Sequence, residues 1–307
     1  WLDFKETVKN VYFFVIVLAG VLLVVGSTRT LGGLYGTPVY PRTYMLLEVV
    51  GGGFLLFQVI VITFYSGELV WRERDAHLAH LHDALPFPDW LPLLSKLGAL
   101  LGVQVLLAAV VFATCVLVQL SQGYTDIDWG LYAVDLFGFR LLDLWILSVL
   151  ALAIHVLVDH KYLGYFGMVL FLAASALAPT VGFEHPLYNY GAVPPVTWSD
   201  MNGFGPYVAQ MVWFRVYWGL VAVALAFVAY LFWVRGTERR GAWRLTRARA
   251  RARPAVGLGL GVSVLGAAAV GGFIFYNTNI LNRFETRRSV EAAQADYEKQ
   301  YKYLEKA

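Results

Sequence analysis

The sequence predicts an all-helical integral membrane protein, and three observations carry that prediction. Hydrophobic residues make up 59% of 307 positions and charged residues only 15%, against roughly 25% charged in soluble domains. The mean hydropathy is +0.60. Apolar runs long enough for a ~30 Å hydrocarbon core, about 20 residues each, recur along the chain. They lack the period-two alternation of membrane-barrel strands, so helices are expected.

Read in order, the spans fall near residues 11–27, 44–66, 97–120, 139–158, 163–179, 210–234 and 255–276. Residues 1–10 place Trp1, Leu2 and Phe4 among charges, the pattern of a helix lying in the membrane interface. Residues 11–234 then hold six spans as one domain. The single cysteine, Cys115, lies in the third span and reads as a small buried apolar residue, and one cysteine allows no intrachain disulfide. Gly51-Gly52-Gly53 in the second span permits a bend or a close helix approach.

Lysine and arginine bias in short loops sets orientation. With a cytoplasmic N-terminus, the inside segments hold Lys5, Lys9, Arg72, Arg74, Lys96, Lys161 and eight arginines from Arg235 to Arg253, while the opposite loops hold only Arg29, Arg42 and Arg140. An odd number of spans puts the C-terminal tail outside. The basic loop 235–254 reads as an electrostatic anchor to anionic lipid. Nucleic acid is the weaker partner for it, because no base-reading module accompanies the run.

Between the second and third spans lies a charged insert, residues 66–96. Leu69 to Leu85 is expected to form a separate amphipathic helix carrying Arg72, Glu73, Arg74, Asp75 and Asp83, with Glu68 before it and Lys96 beyond. Pro86 and Pro88 break it, and Asp89 is placed to cap the third membrane helix. A stiff charged helix held between two spans can pass a push from a soluble partner to both. A plain solvated loop is the alternative.

Other constellations are weaker. On a helix His77 and His80 share a face and His82 does not, so the three suit a polar docking surface better than a metal site. His155, Asp159, His160 and Lys161 gather at the inner ends of the fourth and fifth spans, as an inner mouth or interface. Segment 180–209 is rich in proline and aromatics and lacks Lys and Arg. Glu184, His185, Asp200 and Asn202 there fit an outward gate or an interfacial cap equally. Charges within spans are costly and tend to be functional. Glu48, Arg140, Asp143 and Arg215 therefore either pair with one another or touch a substrate. After the last span, residues 277–307 read as an external stalk helix with Ser289 as its cap, or as a free amphipathic tail.

The run Glu68 to Asp75, followed by Asp83-Ala84-Leu85-Pro86-Phe87-Pro88 and then Lys96, resembles the permease family of type-2 ABC exporters. The resemblance covers about residues 1–235. It implies a six-helix permease core, with a seventh transmembrane helix added. It also implies that residues 69–85 are a coupling helix, and that Arg72, Glu73, Arg74, Asp75 and Asp83 on it, with Glu68 before it and Lys96 beyond, serve the contact with a separate ABC ATPase subunit, which binds ATP and Mg. A second permease half or a homodimer mate would complete the pathway, in a bacterial inner (plasma) membrane.

Segments Tyr35–Pro41, Gly182–His185, Ser199–Gly205, Trp233–Glu238 and Tyr276–Asn282 are similar to the branch fused to an external zinc aminopeptidase domain. In that branch the seventh helix leads out to the peptidase, and a first permease half precedes. With a start at Trp1, this sequence then reads as a piece of a longer polypeptide. It contains neither HExxH nor GxxxxGK[ST], so no catalytic residue, cofactor or metal is assigned to it and it is not expected to be an enzyme by itself. The expected function is the permease of an ATP-driven exporter. The alternative is a membrane anchor for an external aminopeptidase, with little or no transport. An ion-driven carrier fits less well, because no span carries a mid-membrane acid.

Overall fold

A computed structural model describes residues 2–30, 40–78, 85–196, 198–234 and 241–302. Those residues are helical with no β-strand among them. Seven helices are long and apolar enough to cross a membrane, so the chain is a multi-pass membrane protein by length and composition. In chain order the helices are α1 (Leu2–Lys9), α2 (Val11–Thr30), α3 (Thr43–Asp75), α4 (Trp90–Ser121), α5 (Trp129–Val158), α6 (Lys161–Val181), α7 (Tyr207–Phe232), α8 (Gly241–Arg251), α9 (Pro254–Leu281) and α10 (Arg287–Tyr301). Helices α2 to α7 and α9 are the spans. Large apolar side chains on their flanks, such as Leu117, Phe166 and Leu265, remain exposed, as expected where lipid rather than protein completes the packing.

The chain divides into two compact units. The first comprises Trp1–Val169 with Ala222–Val262, the second Leu170–Val221 with Ser263–Ala307. In the first, α3 packs chiefly against α5, and α4 packs against α5, α2 and α1. Small residues make these approaches possible. A side chain at Gly20 would meet the Phe54 ring at 2.5 Å, and one at Gly53 would meet Leu23 at 2.5 Å. Gly51 lies under Arg140, whose guanidinium a Cβ there would strike, while Gly52 faces open space. Residues Val50–Phe54 form a π-helical turn around these glycines. The triple glycine thus serves both uses the sequence allowed, a local irregularity and close approach.

Helix α1 packs against α4. A Cβ at Gly102 of α4 would meet the Phe4 ring at 3.2 Å, and Ser95 Oγ donates to Asp3 Oδ2 at 2.6 Å. The separate helix expected from Leu69 is corrected. The second span runs unbroken to Asp75 and then stops. The Leu78 amide bonds the Glu73 carbonyl and the His77 amide bonds the Arg74 carbonyl, with His77 at φ 56°. This pair of bonds is the Schellman ending, with histidine in the left-handed position usually given to glycine. Residues 79–84, with His80, His82 and Asp83, lie outside the described residues.

In the second unit, α7 and α9 approach through glycines. A Cβ at Gly266 would meet Leu220 at 3.3 Å, and one at Gly271 would meet Tyr217 at 2.9 Å. The Trp213 and Phe273 rings pack 4.8 Å apart beside them. Helix α10 begins one turn earlier than expected. Thr286 is its cap and accepts the Ser289 amide at 3.2 Å, so Ser289 stands inside the first turn.

Candidate functional site

The charges that the sequence singled out around the end of α3 converge in the first unit. Where α3, α5 and α7 end and α4 begins, Val70 and Trp71 join Leu93, Leu152, Ala153, Val156 and Ala229 in a buried apolar cluster. The last turn of α3 rides on that cluster and turns its charges toward neighbouring helices. Lys96 of α4 is the most enclosed, with 2% of its side chain exposed. Its ammonium donates to Glu73 at 2.5 and 2.7 Å and to the Leu69 carbonyl at 2.6 Å. All three donors of the lysine are thereby satisfied, which is what makes a buried charge tolerable.

Arg72 reaches α1, with Nη1 2.9 Å from Glu6 and 3.4 Å from Asp3, and Nη2 donating to Thr7 at 3.3 Å. Arg74 turns the other way. It donates to Asp159 at 2.8 Å and to the Val234 carbonyl at 3.3 Å, and lies 4.7 Å from the Trp71 ring centroid. Asp159 ends α5 in the left-handed conformation, φ 51°. Asp75 accepts from Lys161 at 2.5 Å, and Glu68 lies 3.5 Å from the same lysine. Of the seven residues assigned to the partner contact, six are described, and each pairs with this chain's own helices. Asp83 is not described. The junction therefore ties α1, α3, α4, α5 and α6 together at their ends.

Beside it, His155 is fully buried against the Tyr165 ring, 4.9 Å between centroids. Gly67 and Gly164 leave the room, since a Cβ at either would strike the imidazole. The basic run is also partly structural. Arg244 donates to the Val156, Leu157 and Phe232 carbonyls, at 2.7, 3.1 and 3.4 Å, closing the ends of α5 and α7. Arg251 bonds Asp89 at 3.0 Å and the Trp233 carbonyl. Asp89 does precede α4, but its side chain makes no cap bond to that helix. Cations at helix C-termini complement the exposed carbonyls there.

The second unit holds the four residues of the expected gate, in two places. Glu184 accepts the Arg287 amide at 2.5 Å, at the start of α10. His185 Nδ1 accepts the Leu187 amide at 3.2 Å, so the neutral ring carries its proton on Nε2, 2.9 Å from Thr278 Oγ1. Burial lowers the His185 pKa. Asp200 and Asn202 instead stand exposed in a tight turn closed by reciprocal Ser199–Gly203 backbone bonds. Gly203 and Gly205 hold φ of 59° and 52° there, a region costly for side chains.

The four intramembrane charges do not form one set. Arg140 pairs with Asp135 at 2.5 Å, a partner the sequence reading missed. Five residues apart on an α-helix, the two would diverge; the π-helical stretch Tyr132–Arg140 brings them together. Arg215 donates to the Met211 carbonyl at 3.2 Å. Glu48 is exposed and Asp143 half-buried. Among the described residues no group of three or more His, Cys, Asp or Glu side chains could hold a metal ion.

Fold and junction together define a multi-pass helical membrane protein with an ionic clasp at one end of its spans. Comparisons with protein-family models, curated proteins and solved structures found no match.

Proposed function

We propose that this chain is the permease subunit of an ATP-driven ABC exporter, with its N-terminus and the charged junction at the end of α3 on the cytoplasmic side of a bacterial inner membrane. The observation that carries the reading is the continuity of α3 with its charged end, where Arg72, Glu73 and Arg74 each grip a different neighbour: α1, α4 and the end of α5. A force at that end reaches several spans at once, as a transmission point requires. Because these three side chains are engaged within the chain, their role is to carry displacement. The surface offered to the ATPase is then the exposed tip Asp75–Leu78, with exposed Leu85.

The six-helix type-2 core, the partner ATPase with its ATP and Mg, and a second permease half or identical mate belong to this proposal. The test is ATP hydrolysis and substrate movement in the native complex reconstituted in vesicles. Arg74→Ala leaves ATP hydrolysis and lowers transport, whereas His77→Glu at the tip weakens ATPase retention. Normal transport in both variants overturns the reading.

One observation favours the second reading, a membrane anchor for an external aminopeptidase. Helix α10 leaves the last span fully exposed over its length, with Glu184 at its first amide. A pure anchor shows no ATPase coupled to this chain.

A further inference from the structure

Besides the junction, the first unit contains an apolar cavity of about 430 Å³, which opens between spans. Trp90 and Leu94 of α4, Val149 of α5, Ala226 and Tyr230 of α7 and Val256 of α9 form its walls. Its size lies in the ~300–1,000 Å³ range of ligand sites, yet its lining has almost none of the converging polar groups that orient a soluble metabolite. The polarity lies at one end. Asp89 and Arg253 flank the amino-terminal ends of α4 and α9, and Arg251 is clamped across that edge, bonded to Asp89 next to Trp90 and to the Leu231 carbonyl next to Tyr230. Arg251 is 7% exposed, and its Nη2 is buried with no hydrogen-bond partner among the described residues. Arg249 and Arg253 stand exposed on either side of it in sequence, and α8 also exposes Leu245.

We propose that this cavity is a site for one anionic glycerophospholipid, with an acyl chain between α4, α7 and α9 and the phosphate at the Arg249–Arg253 edge. An amphiphile with one charged end and one hydrocarbon end matches a site that is hydrocarbon throughout and cationic at a single edge. The opening between spans admits such a molecule from the bilayer. Each methylene placed there leaves no worse an environment than lipid, so chain burial supplies position, and the guanidinium groups supply selectivity for a negative headgroup. The site is independent of the exporter reading, since it uses neither the ATPase-facing tip nor the α1–α3 charges.

The full chain, purified in detergent, tests this by native mass spectrometry with phosphatidylglycerol, phosphatidylcholine of the same chains, and free oleate. The wild type retains one phosphatidylglycerol at concentrations at least tenfold below those phosphatidylcholine needs. Ala226→Trp and Val149→Phe fill the cavity, and each weakens that binding more than tenfold. Arg249→Gln and Arg253→Gln, both on the surface, each weaken it about fivefold while leaving phosphatidylcholine unchanged. Equal retention of the two phospholipids by the wild type overturns the proposal. So does undiminished binding in a folded cavity-filling variant or in the double arginine variant, or oleate displacing phosphatidylglycerol at equal concentration, which would make the site one for single-chain amphiphiles.

Discussion

Lys96 Nζ lies 2.5 and 2.7 Å from the two carboxylate oxygens of Glu73, and the lysine side chain is almost wholly enclosed. Removing one member of a buried pair strands the other, at a cost of about 3–5 kcal/mol, whereas replacing both by uncharged groups is often near neutral. Glu73→Gln is therefore expected to lower stability far more than the Glu73→Gln, Lys96→Met double variant. Thermal unfolding in detergent measures both. Equal losses would mean that the pair is not coupled.

Gly51 and Gly52 are neighbours with opposite tolerance. Gly51→Ala pushes a methyl into the Arg140 guanidinium, which Asp135 holds. Overpacking of this kind costs about 1–3 kcal/mol. Gly52→Ala meets open space and removes a glycine from a helical turn, so it should be neutral or stabilising by up to ~1 kcal/mol. Melting temperatures of the two variants should fall on opposite sides of, or very unequally below, the wild type.

His77 ends α3 at φ 56°. A left-handed conformation costs a non-glycine residue roughly 1–2 kcal/mol. His77→Gly is expected to raise stability by about 1 kcal/mol, and His77→Val to lower it. If His77→Gly also abolishes ATPase retention by the native complex, the imidazole itself contacts the partner.

His185 gives the second unit a pH dependence. Burial lowers its pKa in the folded state, so the neutral ring is favoured there. The stabilising contribution is complete above the ordinary histidine value of about 6.5 and is lost as pH falls through the lowered folded value. A proton on Nδ1 would face the Leu187 amide that this atom accepts. Protection factors of residues 183–188 and 276–282, with exchange corrected for its intrinsic base-catalysed rate, should therefore fall between pH 7.5 and 5, and His185→Phe should flatten the dependence. Protection factors unaffected by pH in the wild type would refute this.

Orientation is read by labelling. In a Cys115→Ala background, His77→Cys should react with an impermeant thiol reagent only from the cytoplasmic side, and Glu291→Cys only from outside. Labelling of His77→Cys from the exterior would overturn the sidedness and the exporter reading with it.

Hydropathy made the number and approximate place of the spans legible, because a bilayer charges each polar residue separately and the sum can be read along the chain. The span ends were less legible. The second span was expected to close near residue 66, yet α3 continues to Asp75. Polar residues end a membrane segment without ending a helix; that needed the backbone bonds at Ala76–Leu78. The Ser289 cap failed for a similar reason, since Thr286 three residues earlier offers the same oxygen one turn sooner.

The sequence by itself determined that the chain is helical, crosses a membrane repeatedly, and concentrates its charge between the second and third spans and in the arginine run. Only tertiary structure decided which charges meet. Arg72 with Glu6, Arg74 with Asp159 and Arg251 with Asp89 are separated by 66, 85 and 162 positions. Such pairings depend on the rotation and depth of each helix against its neighbours, which local hydropathy does not encode.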